Sequence, residues 1–194
     1  MNKASKKIIL QDVRCSYVYL KGTNKNDKYS VQPLIEKGTP NYKKATQAQK
    51  EVFIEAFGEA AWKKKGQYNL ALRDGDADEK NGGDPRDGEE YRNIIFCNAN
   101  SSRKPGIVNR NNEPADDDDL EEYCYSGAYY HVSLNFYAFP KPEDGGKPGI
   151  AVGLGNVMLR KKGDRLDGSV AATSEFAEFA EDSDSDDDFD DEDF

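Results

Sequence analysis

"SGAYYHVSLNFYAFP", residues 126–140, decides the fold class, because its apolar and polar residues alternate. Tyr130, Val132, Leu134, Phe136 and Ala138 fall on one face, and Tyr129, His131, Ser133, Asn135 and Tyr137 on the other. A period of two marks a half-buried strand. "IAVGLGNVMLRKK" (150–162) follows as its partner across the turn-rich "KPEDGGKPG". Upstream, "VRCSYVYL" (13–20) also alternates, with Cys15, Tyr17 and Tyr19 on one face and Ser16, Val18 and Leu20 on the other. A basic loop (21–28) leads to "YSVQPLIEKG" (29–38), where an internal Pro33 predicts an edge position or a bulge. "YRNIIFCNAN" (91–100) is a further strand, and a short one is expected at Ile107 and Val108.

One helix is expected, over residues 45–66, with Thr46 as N-cap, an apolar stripe from Val52 to Ala61, and Lys63–Lys65 at its end before Gly66. Residues 70–90 read as a turn-rich, mobile loop, and the run Asp116–Asp119 as a solvated one. The whole is mainly β (β or α+β), an OB-fold-type antiparallel barrel with one long helix after the second strand. Residues 1–174 would form this domain and 175–194 a disordered acidic tail.

Charge is unevenly placed. The chain has 194 residues, 36% hydrophobic and 33% charged, and a net charge of −10. Residues 175–194 hold 12 acids and no base, so the rest carries 27 bases against 25 acids, or +2. Residues 1–65 hold 14 bases and 6 acids, or +8. An acidic chain can therefore still present a basic surface. Cys15, Cys97 and Cys124 are odd in number and widely spaced, which fits reduced thiols rather than a disulfide framework. With His131 as the only histidine and no CxxC pair, no metal or cofactor is expected. The N-terminal apolar run is too short for a signal peptide, and no stretch is long enough to span a membrane.

No nucleophile has a histidine beside it, the glycines of 149–155 lack a dinucleotide fingerprint, and the acids of 74–79 lack the order of a calcium loop. No catalytic residue is assigned. The outer face of 129–138 is richer: Tyr129, His131, Asn135 and Tyr137 interleave rings with hydrogen-bonding groups, as single-stranded nucleic acid requires. The same pattern equally fits rings packed beneath loops or a dimer partner. Tyr17, Tyr19 and Phe96 are further candidate platforms. Lys21, Lys25, Lys28, Arg92, Arg103 and Lys104 are candidate phosphate contacts.

"SYVYL" (16–20), "KYSVQPLIEKG" (28–38), "YSGAYYHVSLNFYAF" (125–139) and "GIAVGLGNVMLRKKGDRLDG" (149–168) together resemble a family of phage single-stranded DNA-binding proteins typified by that of phage Enc34. The resemblance runs over residues 10–180, and "AATSEFAEF" is similar to the family's post-barrel segment. It implies an OB-type barrel that coats single-stranded DNA, without chemistry, in phage replication or recombination in the cytoplasm of the infected bacterium. The tail, ending in Phe189, Asp190, Asp191, Glu192, Asp193 and Phe194, is similar to the T7-type tail. That likeness implies contacts with polymerase, helicase or primase and competition with DNA. A homodimer is compatible with the sequence. Two other readings stay open: an acidic protein-interaction module (a DNA mimic or chaperone-like protein) and an RNA-binding protein.

Overall fold

The computed structural model describes residues 4–143 and 145–168, so the acidic tail lies outside the described residues. Its strands are β1 (Ser5–Tyr19), β2 (Tyr29–Glu36), β3 (Arg73–Asp74), β4 (Ile94–Phe96), β5 (Ala99–Ser101), β6 (Ile107–Val108), β7 (Tyr129–Phe139) and β8 (Gly149–Lys161). They form one mixed eight-stranded sheet, and the molecule is mainly β.

The pairings close on themselves. β1 pairs with β2, β2 with β5, β5 with β8, β8 with β7, and β7 with β1. The expected antiparallel arrangement is corrected where β5 and β8 close the ring in parallel, and β6, off the ring, also runs parallel to β8. A closed ring with an odd number of strands cannot alternate direction all the way round, so one parallel pair is unavoidable. A row of facing residues follows the circuit: Lys7 faces Asn135, Asn135 faces Gly153, Gly153 faces Asn100, Asn100 faces Ser30, and Ser30 faces Tyr19. The row leaves β1 at Lys7 and returns at Tyr19, so the strands are strongly tilted to the ring axis.

The alternation of β7 holds at Tyr130, Val132, Leu134 and Phe136, which are fully buried and meet Ile150, Val152, Leu154 and Val157 of β8 inside the ring. Ser133, expected on the outer face, is also buried, at a register shift between Val132 and Leu134. The alternation read for 13–20 fails. Cys15 is buried while Tyr17 is 53% exposed, and Ser16 is buried beside Cys15. The cause is a register shift between Ser16 and Tyr19, with Tyr17 in the left-handed region at φ 47°. A second shift, between Leu10 and Val13, carries Asp12 at φ 46°.

Pro33 sits in an interior strand, not at an edge. Its register partner on β1 is Cys15, and on the other side β2 pairs first with β5 and then with β4. The ladder lapses opposite Gln32 and Pro33, where a missing N–H costs nothing, and Gln32 Nε2 donates instead to Asn98 Oδ1 at 2.7 Å.

The helix α1 spans Pro40–Phe57, not 45–66. Thr39 is its N-cap, accepting from Tyr42 N, and Pro40 takes the first turn. Thr46 is mid-helix, its hydroxyl bonded back to Tyr42 O at 2.8 Å. Gly58 at φ 89° ends α1, and α2 (Glu59–Trp62) is a separate turn. Lys65 therefore does not cap α1 but lies over the Trp62 ring at 4.9 Å. Ala45, Ala48, Val52 and Phe53 plug one end of the ring, and Phe53 contacts Phe57, Trp62 and Tyr68 with ring centroids 4.8–5.1 Å apart.

Two loop expectations are also corrected. Asp116 caps α3 (Asp117–Tyr123) in a capping box with Asp119, so the acidic run is a helix start. Residues 70–90 contain β3 and 3-10 turns at Glu79–Asn81 and Glu89–Tyr91. They fold around the buried Asp78 carboxylate, held by Arg73, whose Nε donates to Oδ1 at 2.9 Å. The thiols of Cys15, Cys97 and Cys124 are all buried, and burial pushes Cys97 up to about 12 and Cys124 to about 11.

Candidate nucleic-acid interface

Tyr17 organises the surface. Its bulge turns the ring outward, and three recesses meet at it. The one over β2 and β5 has a volume of about 500 Å³ and is lined by Tyr17, Tyr19, Asn24, Lys25, Asn26, Ser30, Val31, Gln32, Arg73, Arg86, Asn98 and Asn100. It contains three cations, five amides, two tyrosines and no carboxylate. The neighbouring recess, also lined by Tyr17 and Tyr19, mixes Lys21 and Arg165 with Glu90, Glu121 and Asp167.

Local structure holds these groups in place. The 21–28 loop is fixed by Asn24, whose Oδ1 accepts from Asn26 N at 2.9 Å and Lys28 N at 3.2 Å. That presents Lys25 at the rim and leaves Lys28 exposed just behind it. Arg73 and Arg86 stack on Phe96, at 4.8 and 4.9 Å from its centroid, and Arg86 also lies 4.4 Å from the centroid of Tyr91. Burial of the Arg86 guanidinium works against its charge, and the hydroxyls of Tyr91 and Tyr17 more than offset that. Burial likewise works to raise the Asp78 pKa, and the bonds from Arg73 and Lys80 N prevail, holding it below the usual carboxylate range.

The sequence-predicted residues separate into groups. Tyr17, Tyr19 and Lys25 line the acid-free groove, and Lys21 lines the adjacent recess, 2.5 Å from Glu121. Asn135 and Tyr137 are exposed on β7. Through Gly153, Asn135 shares a row with groove residue Asn100, about 10 Å away across two strand spacings. Arg103 and Lys104 are exposed just past β5, beyond the groove lining. Arg92 braces the loop, its Nη1 donating to Arg86 O at 2.8 Å.

Three assignments need correction. Phe96 is fully buried and serves as a platform for arginines, not bases. Tyr129 is half-buried, with Lys161 4.4 Å from its ring centroid and Gly163 against its edge. His131 holds the β1 bulge: its Nδ1 accepts from Asp12 N at 2.9 Å, and Arg160 pairs with Asp12 at 3.1 Å. Burial and the Arg160 charge lower its pKa.

Sequence reasoning missed Gln32, Arg73, Arg86, Asn98 and Asn100. The available signal was "PRD" within a glycine-rich stretch and the NxN at 98–100, neither distinctive before the ring brings them together. Among the described residues, no group of three or more histidine, cysteine or acidic side chains is placed to hold a metal ion, and no helix is long and apolar enough to cross a membrane.

The chain is similar to several known proteins. A protein described as "Putative protein p50", from Acyrthosiphon pisum secondary endosymbiont phage 1, is 30% identical over 108 residues. That match covers 55% of this chain and about half, 51%, of that protein. The single-stranded DNA-binding protein from bacteriophage Enc34, as a C-terminal truncation, aligns over 82% of this chain and 88% of its own, with TM-score 0.63 and 20% identity. The same phage protein in complex with ssDNA aligns over 82% and 89%, with TM-score 0.59 and 24% identity. The single-stranded DNA binding protein encoded by bacteriophage T7 aligns over 93% and 97%, with TM-score 0.58 and 14% identity. At these identities the likeness is one of fold. A family model described as "Enterobacter phage Enc34, ssDNA-binding protein" matches residues 6–189. With nearly all of its length matched by that model, the chain belongs to the phage Enc34 ssDNA-binding protein family.

Proposed function

We propose that this protein binds single-stranded DNA in the groove over β2 and β5 and catalyses no reaction on it. One observation carries the reading. In a chain with 37 acidic residues, a groove of about 500 Å³ bounded by two tyrosines, two arginines and a lysine has no carboxylate in its lining. Bases would stack on Tyr17 and Tyr19, while Lys25, Arg73 and Arg86 neutralise phosphates, with Lys21 and Lys28 at the rim. The ring of strands is on this reading an OB-type barrel formed by residues 1–174, and Asn135 and Tyr137 extend its binding face around β8.

The tail residues Phe189, Asp190, Asp191, Glu192, Asp193 and Phe194 lie outside the described residues. We read residues 175–194 as a tethered polyanion that competes with DNA for the groove and recruits a polymerase, helicase or primase in the host cytoplasm. The 12 acids, the absence of bases and the phenylalanines set among them support that reading.

Fluorescence anisotropy with labelled single-stranded DNA, duplex DNA and RNA, across a salt series, tests the proposal. Binding of single strands that weakens steeply with salt is expected. No binding to single-stranded DNA at low salt would refute it.

A further inference from the structure

Carboxylates crowd one end of the groove and are missing from the other, and what this means for a ligand rests on the groove being a single-stranded DNA site. Past Tyr17 both neighbouring recesses are acidic: one is lined by Glu90, Glu121 and Asp167, the other by Asp78, Asp87 and Glu90. At the opposite wall Asn100 faces Gly153 on β8, Gly153 faces Asn135 on β7, and Asn135 faces Lys7 on β1. Neither this row nor the adjoining one, Ala151, Tyr137 and Ser5, contains an acid. Lys7 lies three strand spacings from Asn100, about 14 Å along the sheet. It is exposed and makes no ion pair among the described residues, whereas its neighbour Lys6 is held by Glu51.

Gly153 is the step between the groove and that row. A glycine inside a strand is unfavourable, because it costs more entropy to order and gives its neighbours no side chain to pack on. No described residue requires one here. The backbone at 153 is outside the left-handed region, and a Cβ there would meet nothing closer than Asn135 O at 3.8 Å, with Asn135 Cβ and Tyr137 Cε1 at 3.9 Å. Those are ordinary contacts. Gly155 is the contrast: a Cβ there would come within 2.7 Å of Ser133 Oγ, so packing accounts for that glycine. The room above Gly153 lies instead between an exposed asparagine and the edge of Tyr137, a ring that is 40% exposed. A strand glycine without a packing reason marks a place where another chain comes close to the backbone.

We propose that Gly153 is the floor of a passage by which a single strand leaves the groove, crossing β8 to set a base against Tyr137 and a phosphate on Lys7. The acids past Tyr17 repel a phosphate backbone in that direction, while the β8 side opposes it with no charge and ends on a free cation. The missing side chain lets the strand lie against the sheet, level with the exposed face of Tyr137. A side chain at 153 would stand in its way.

Oligothymidylates of increasing length, titrated against the full chain, test this together with urea unfolding. Wild-type affinity should go on rising with length after the groove is filled. Gly153→Val should unfold at an equal or higher urea midpoint and bind the shortest oligomers as the wild type does, but hold the long ones about tenfold more weakly, the loss of roughly one stacked base. Lys7→Gln should likewise spare the short oligomers, and for the long ones lower the salt slope by about one. A Gly153→Val protein that matches the wild type at every length overturns the inference. So does an equal loss at every length, or a lowered urea midpoint, since either would make Gly153 a requirement of the fold. Failure of the wild type to bind any length overturns instead the DNA-binding reading beneath it.

Discussion

At the scale of single residues, Tyr17 sets backbone strain against the ligand contact proposed for it. A bulky side chain at φ 47° is disfavoured, yet this one is 53% exposed and packs against little of the core. Tyr17→Gly should therefore stabilise the fold by about 1 kcal/mol in urea unfolding. The same change should weaken single-strand binding by ~1–3 kcal/mol, the value of one stacked base. Tyr129→Ala, outside the groove, should leave affinity nearly unchanged. Equal affinity of wild type and Tyr17→Gly would remove Tyr17 from the site. His131 governs a pH effect. Its pKa is held below 6.5 by burial and by Arg160, so the fold prefers the neutral ring. The unfolded chain binds the proton first as pH falls, so this contribution is fully present above 6.5 and is lost as pH drops through the folded value. Urea midpoints measured on either side of 6.5 should differ for the wild type, and His131→Asn should flatten the difference.

At the scale of elements, strands that build the ring were readable where their environment is simple. β7 buries one face against β8 and the helix, so its alternation survives except at Ser133, which is buried where the register shifts, and β8 is nearly as clear. β1 was only half readable, because two bulges shift its inward face at Asp12 and Tyr17, and a bulge has no signature in a pattern of apolar residues. The helix start at Thr39 and Pro40 was present in the sequence, but an apolar stripe beginning later drew the boundary inward. Residues 75–93 were unreadable for a different reason. Their order comes from partners remote in the chain: Lys37 bridges Asp74 and Asp76 at 2.6 and 2.8 Å, and Arg86 rests on Phe96. Arg73→Ala should cost about 3 kcal/mol, because it leaves Asp78 buried without its cation, and it should loosen the support of Arg86. Phe53→Ala, at the plug of the ring, should cost about 3–5 kcal/mol with the proposed groove untouched. Thermal unfolding alongside oligonucleotide binding separates the two effects.

At the scale of the whole molecule, closure of the ring assembles the groove. Gln32 and Asn100 come from β2 and β5, neighbours in the five-strand circuit, and amides scattered in sequence announce nothing until they share a wall. The tyrosines and Lys25 could be named in advance because rings and charges beside a strand are conspicuous. Charge is also a property of the whole chain. Removal of residues after Ala180 deletes 10 of the 12 tail acids, and single-strand affinity should rise at low salt and converge with the full chain as salt increases. Identical affinities at low salt would exclude a tail that competes with DNA.

The three native thiols have a practical consequence. All are buried, and burial holds each in its unreactive protonated form at neutral pH. A thiol-reactive dye should therefore find the folded wild type almost blank, as a slow disulfide-exchange colour assay would verify. Lys25→Cys then supplies the sole labelling point, on the rim of the groove, with no native cysteine removed to obtain it. A fluorophore there would report strand arrival in real time.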